Sequence, residues 1–178
     1  MTFKLYTQDD APKESQKLLQ NSLAAFGMIP NLHAVMAESP PLLEAYQNLH
    51  TLFQQTSFTA EELTVVWQTI NVEHDCHYCI PAHTGIAHMM KVDGAIIEAL
   101  RNRSKLPSPK LQTLHTTTLA LVRNRGQLSQ DEASVFFEAG YAQRNLLEIV
   151  LGISQKVMSN YVNHLAETPV DEAFKEFE

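Results

Sequence analysis

Two cysteines stand in this 178-residue chain, and it has no others. They occur as Cys76-His77-Tyr78-Cys79, with His83 four residues further on. A pair at this spacing has two chemistries open to it: a dithiol–disulfide cycle, or a metal site completed by further ligands. On a helix at about 100° per residue, Cys79 lies about 60° round from Cys76, and His83 returns to within about 20° of Cys76. His83 is also at i+4 from Cys79, where helical side chains meet. Both thiols and the imidazole then share one stripe. The first helical turn offers free N–H groups and the positive end of the macrodipole, which favour thiolate, the reactive form. An imidazole within reach can relay the proton. The i, i+3 spacing also sets the two Cα atoms about 5–6 Å apart, inside the range a disulfide accepts. Pro81 limits this picture, because proline is comfortable only in a first turn: the helix starts near Tyr78 or is kinked.

Three readings of the motif compete. A redox-active pair leads, as expected for this spacing on a helix start in a chain without an export signal. A metal site would recruit Cys76, Cys79 and His83 with His88 or His115. A structural zinc site wants four ligands, usually including a second such pair, and the sequence has none. No metal and no cofactor are therefore expected. In the third reading the cysteines are two small buried residues of a core helix. A thioredoxin-like frame is excluded, since no βαβ pattern surrounds the motif.

The elements that must position the motif read as helices throughout. Asp10-Ala11-Pro12 opens a stretch that Gly27 closes. Asn31 begins a short helix through Ala37, stopped by Ser39-Pro40-Pro41. Leu42, Leu43, Tyr46, Leu49 and Phe53 then recur at spacings of three and four. Thr59 to Glu62 fits a capping box ahead of Leu63, Val66, Trp67 and Ile70. The next helix carries the cysteines and runs to about Met90. Further helices are expected from Asp93 to about Asn102, from Ser108-Pro109 to Gly126, and from a second capping box at Ser129 to Gly140. A long one follows from about Ala142 to Ala166. The acidic tail, about 168–178, is expected to fray. No window alternates as a strand does, so the fold class is all-α, one domain over 1–178.

Composition agrees. With 44% apolar and 19% charged residues, 8 Pro and 6 Gly, the chain is an ordinary globular domain able to bury roughly 70% of its unfolded surface. No apolar run approaches the ~20 residues of a membrane span. The opening MTFKLYTQDD lacks the pattern of an export leader, so the expected location is cytoplasmic. A net charge of −7 argues against a nucleic-acid partner.

Taken together, Cys76-His77-Tyr78-Cys79-Ile80-Pro81-Ala82-His83, the lead-in Ile29-Pro30-Asn31, the stretch from Ser39 to Tyr46 and the helix after Thr59 resemble the AhpD-like, carboxymuconolactone decarboxylase superfamily. The likeness runs over about Met28 to Met90; beyond it only helices of compatible length match. It implies alkylhydroperoxidase-type activity in antioxidant defence. A peroxide is reduced by the thiol pair, which a disulfide-reducing partner protein or small thiol then restores. It also implies a homo-oligomer, commonly a trimer or hexamer. The alternatives are a thiol–disulfide exchange protein, a zinc-binding or non-catalytic helical module, and a lyase of the decarboxylase type. In this family the second cysteine attacks peroxide and the first, more exposed one resolves the product. Cys79 is accordingly the expected nucleophile, as its spacing from His83 also favours, and Cys76 the resolving thiol that the reductant meets.

Two positions depart from the family pattern. The relay glutamate twelve residues before the first cysteine is Thr64 here, and a histidine before the second is Tyr78. Glu73 and Glu62 are the replacement candidates, with Glu62 better explained by the Thr59 capping box. The expected catalytic set is Cys76, Cys79, His83 and Glu73. His74, His77 and His88 read as loop, surface or structural residues, and His115 as a helix-surface residue. His33, His50 and His164 have no local partner in the sequence and receive no role.

Overall fold

A computed structural model of the chain describes residues 3–178. The helix that organises it, α4 (Ala60–Glu73), starts where the capping box places it. Thr59 Oγ1 accepts from the Glu62 N–H, and the Glu62 carboxylate accepts from the Thr59 N–H. Every residue from Glu62 to Val72 is buried. A helix apolar around most of its circumference belongs at the centre of a bundle, and that is its place. Around it pack α5 (Cys79–Met89), α6 (Gly94–Arg101), α7 (Pro109–Arg123) and α9 (Gln143–Ala166). The short α8 (Gln130–Glu138) packs on α7. Phe53, Trp67, Ile70, Leu114 and Ile149 form this core.

A second core packs against the C-terminal half of α9, where Met158 and Val162 join it. It is built from α1 (Lys13–Phe26), α2 (Asn31–Met36) and α3 (Pro40–Gln54), and it contains both cysteines. Helix α9 closes on α3 at Gly152, where a Cβ would come within 2.7 Å of the Phe53 ring. Among the described residues there is no strand: the fold is all-helical and forms a single domain.

The C-terminal segment does not fray as its acidity led us to expect. It crosses the mouth of the second core as a 3-10 turn, Glu172–Phe177. Asp171 is buried, accepting from the Tyr78 hydroxyl and from the Asn31 N–H at 2.9 Å, so it caps α2. Val170 joins the core, and Arg101 Nη1 donates to the Phe177 carbonyl at 2.7 Å. Phe174 lies on Gly85 so closely that a Cβ there would meet its ring at 2.6 Å. Gly85→Ala should therefore push Phe174 off α5. Trypsin cleavage after Lys175 should then accelerate about tenfold, as for a local opening made easier by ~1.4 kcal/mol. Unchanged cleavage would show that Phe174 swings aside without loosening the segment.

Candidate active site

The cysteines reach the site through a turn, not a continuous helix. Helix α4 ends at Glu73, Asp75 adopts a left-handed conformation (φ 48°), and the Cys76 N–H bonds back to the Asn71 carbonyl at 3.0 Å. This is the hydrogen-bond pattern of a Schellman ending, with Asp75 where glycine is usual. The Cys76 carbonyl then accepts from the Ile80 N–H, and its sulfur sits 3.3 Å from the Cys79 N–H, in the manner of an N-cap. Helix α5 begins at Cys79, which places Pro81 in the first turn, where a missing N–H costs nothing. So Cys76 precedes the helix expected to carry it. Side chains of α4 hold this junction: Gln68 donates to the Ile80 carbonyl at 3.1 Å and Asn71 to the Cys79 carbonyl at 3.3 Å.

Both sulfurs are enclosed, Cys76 at 0% and Cys79 at 1% exposure, and both are free thiols. Cys79 lines a cavity of about 780 Å³, and Cys76 does not. Cys76 is therefore not the exposed sulfur it was expected to be: the turn encloses both thiols, and Cys79 is the one on the cavity wall. The two thiols share one amide, with Asn163 Nδ2 3.2 Å from Cys79 Sγ and 4.0 Å from Cys76 Sγ. Burial pushes the Cys79 thiol up. Hydrogen bonding from Cys76, the positive charge of Lys156 and the Asn163 and Ser159 side chains outweigh it and bring Cys79 below the ordinary thiol value. Its hydrogen bond to Cys79, burial and the Cys79 charge hold Cys76 far above that value. The pair thus favours the charge on Cys79, the sulfur nearer Asn163 and under the influence of Lys156, and each thiol shifts the other in the opposite direction.

His83 lies on the same face as Cys79 but is not bonded to either sulfur. Its Nε2 is 2.9 Å from Lys156 Nζ, and its ring packs on Trp67. Burial holds His83 well below the ordinary imidazole value, with Lys156 and His50 adding to the effect. An ammonium only donates, so Nε2 accepts and the ring proton sits on Nδ1. That atom is buried without a partner. Glu73 is held elsewhere: Arg123 grips its carboxylate at 2.7 and 2.8 Å, between α4 and α7, and holds it below the usual carboxylate range. It does not line the cavity, so it does not fill the relay position. Thr64 is buried in α4, and Glu62 serves the capping box and Lys110. His77 bonds the Thr168 carbonyl, His74 the Asn160 side chain and His115 the Thr69 hydroxyl. Among the described residues no three His, Cys, Asp or Glu side chains are grouped to hold a metal ion.

Residues that received no role complete the site. Lys156 of α9 is 1% exposed and lines the cavity beside Cys79 and His83. His33 and His50 line it too, together with Tyr46 and Phe26. His33 bonds Ser22, His50 accepts from Gln155, and Gln155 in turn accepts from Trp67 Nε1 at 2.8 Å. The signal for α9 was present: Gly152, Gln155, Lys156, Ser159, Asn160 and Asn163 follow helical spacing, and all are buried. That helix turns its polar stripe inward, while Leu147, Val150, Tyr161 and Leu165 are exposed.

No protein-family model matches this sequence, and no curated protein does either. Solved structures do. A peroxidase-related protein from Ralstonia eutropha JMP134, described as an alkylhydroperoxidase AhpD core, superposes with a TM-score of 0.86 at 15% identity, over 97% of this chain and 93% of that one. A peroxidase-related protein from Silicibacter sp. TM1040 gives 0.80 at 17% identity, over 96% and 93%. The debrominase Bmp8, as a Cys-to-Ala variant with 2,3,4-tribromopyrrole, gives 0.78 at 16% identity, over 99% and 95%. The chain has the AhpD-like fold, in the company of enzyme-like neighbours. Among the described residues no helix is long and apolar enough to cross a membrane.

Proposed function

We propose that this protein is a thiol-dependent peroxidase that cycles Cys79 and Cys76 between dithiol and disulfide. The observation that carries the reading is a free thiol, Cys79, on the cavity wall at the start of a helix, with a second free thiol, Cys76, in the turn before it and the Asn163 amide reaching both sulfurs. The Cys79 thiolate attacks the terminal oxygen of a hydroperoxide, the O–O bond breaks, and a sulfenic acid forms. Cys76 then displaces its oxygen as water and closes the disulfide. A small thiol or a disulfide-reducing partner restores the pair. Entering through the cavity, it meets Cys79 first, so exchange begins there and releases Cys76. Such a cycle suits the cytoplasm, where reductants are abundant. A homo-oligomer is part of the proposal, with the exposed apolar residues of α9 as the face to be covered.

The cavity favours one second reading. At about 780 Å³ with Phe26, Tyr46, Tyr78, Phe174 and Phe177 in its wall, it is far larger than hydrogen peroxide needs. The two electrons of the same dithiol suffice to replace a carbon–bromine bond by carbon–hydrogen, and the neighbour Bmp8 is named a debrominase. One assay separates the two. The reduced protein with dithiothreitol should consume cumene hydroperoxide catalytically and release no bromide from a bromopyrrole. Bromide release without peroxide consumption would replace the peroxidase by a dehalogenase.

A further inference from the structure

Peroxide reduction leaves a proton unaccounted for. When Cys79 attacks, the departing alkoxide must be protonated in a site whose expected relay glutamate is Thr64 and whose Glu73 is held by Arg123. Few groups facing the cavity can supply that proton. His33, His50 and His83 are neutral imidazoles, the first two lowered by burial to about 3 and about 4. A neutral imidazole is a poor acid at neutral pH. Asp171 is committed to Tyr78 and Asn31. Glu176 lines the cavity mouth from the exposed face of the C-terminal turn. His88 sits at the exposed end of α5, stacked on Phe177. Burial raises the Tyr46 and Tyr78 hydroxyls above the ordinary phenol value, and Tyr78 is committed to Asp171. Lys156 is the buried cation on the cavity wall. Among the described residues no carboxylate lies within ion-pair distance of it, and the hydrogen bond it makes through Nζ is to His83.

On the peroxidase reading above, we propose that Lys156 is the general acid of the reaction: its ammonium protonates the leaving alkoxide and then relays the Cys76 proton as the disulfide closes. The charges make the timing work. An ammonium this deep is tolerated because a thiolate lies near it, since an unpaired buried charge is costly. Attack converts the thiolate into a neutral sulfenic acid and creates the alkoxide in the same cavity. Lys156 then loses its counter-charge at the moment a base appears.

The step balances. The Cys79 sulfur gains the terminal O–H, the O–O bond breaks, and the alkoxide takes one proton from Lys156 to leave as alcohol. The Cys76 thiol passes its proton to the Lys156 amine and its sulfur attacks Cys79. The S–O bond breaks, and the departing hydroxide takes that proton as water. Two electrons and two protons from the reductant then restore the Cys76 thiol and the Lys156 ammonium beside the Cys79 thiolate. His83 acts as a positioning residue, its Nε2 accepting one N–H of the ammonium.

Lys156→Arg separates the roles, because arginine keeps the charge but does not give up a proton. The probes are tert-butyl hydroperoxide, whose alkoxide needs a proton, and peracetic acid, whose carboxylate leaves without one. The variant should lose about 10²–10⁴-fold with the first and far less with the second. Lys156→Met is the second variant, since arginine is bulkier than the site it enters. It should move the pH midpoint of iodoacetamide labelling of Cys79 upward. The titratable groups that feel the Lys156 charge are Tyr46 and His50 from α3 and Cys76, Cys79 and His83 around the motif, and His33 from α2 shares the cavity wall with it. Equal losses with both peroxides, or an unmoved labelling midpoint in Lys156→Met, overturn the role of Lys156 while leaving the peroxidase reading intact. A wild-type protein that consumes neither peroxide overturns both.

Discussion

Cys79→Ser should abolish peroxide consumption, a loss on the order of 10³ or more, because a serine hydroxyl in the same place is not ionised. Cys76→Ser should behave differently. It keeps the nucleophile, so it should consume one equivalent of peroxide and stop with a sulfenic acid on Cys79 that dimedone traps. Its first turnover should also be slower than in the wild type, since the Cys76 thiol helps hold the Cys79 charge. The asymmetry rests on the cavity as well as on protonation: Cys79 lines it and Cys76 does not. If Cys79→Ser instead consumes one equivalent at the wild-type rate, the roles are reversed.

Acid should unfold this protein steeply below pH 6.5. The folded state keeps His33 and His50 neutral, at about 3 and about 4, and His83 well below its ordinary value, in each case chiefly by burial. An unfolded chain would protonate them near 6.5. Above that pH neither state binds the protons and the contribution is complete. As pH falls through 6.5 the unfolded state takes them up first, so stability drops until the folded values are reached. At pH 5 His33 and His50 each cost about 2 kcal/mol, together approaching the lower end of a domain's total stability, and His83 acts in the same direction. Urea midpoints at pH 7.5, 6.0 and 5.0 should fall accordingly, and His50→Gln should flatten the trend. Equal midpoints at pH 7.5 and 5.0 would mean that water reaches these rings.

What the sequence revealed and what it hid follow from the range of the forces involved. Caps are local, so Thr59 with Glu62, Ser129 with Glu132, Ser108 ahead of Pro109 and the left-handed Gly27 were all legible. The motif itself was legible for the same reason. Lys156 was missed: a lysine in a long helix reads as solvated unless the polar stripe it shares with Gln155, Ser159 and Asn163 is followed, and only tertiary packing brings it against His83, 73 positions earlier. His33 and His50 stayed unassigned because their partners, Ser22 and Gln155, lie on other helices. The tail misled through its charge. Val170, Phe174 and Phe177 carried the docking signal among the acidic residues, and Asp171 is buried where a carboxylate would normally be solvated. Glu73 was drawn to the site by proximity along the chain, yet the end of α4 directs it toward Arg123.

The central claim is that Cys79 and Cys76 form one two-electron redox site, and a single-turnover titration tests it most directly. Fully reduced wild-type protein is mixed with one equivalent of cumene hydroperoxide, and its thiols and intact mass are followed together. The account predicts that both thiols disappear per equivalent of peroxide. The protein should become two hydrogens lighter, with Cys76 and Cys79 linked within one chain and no crosslinked dimer on a non-reducing gel. Thiols that survive the peroxide, or a disulfide between two chains as the main product, would contradict it.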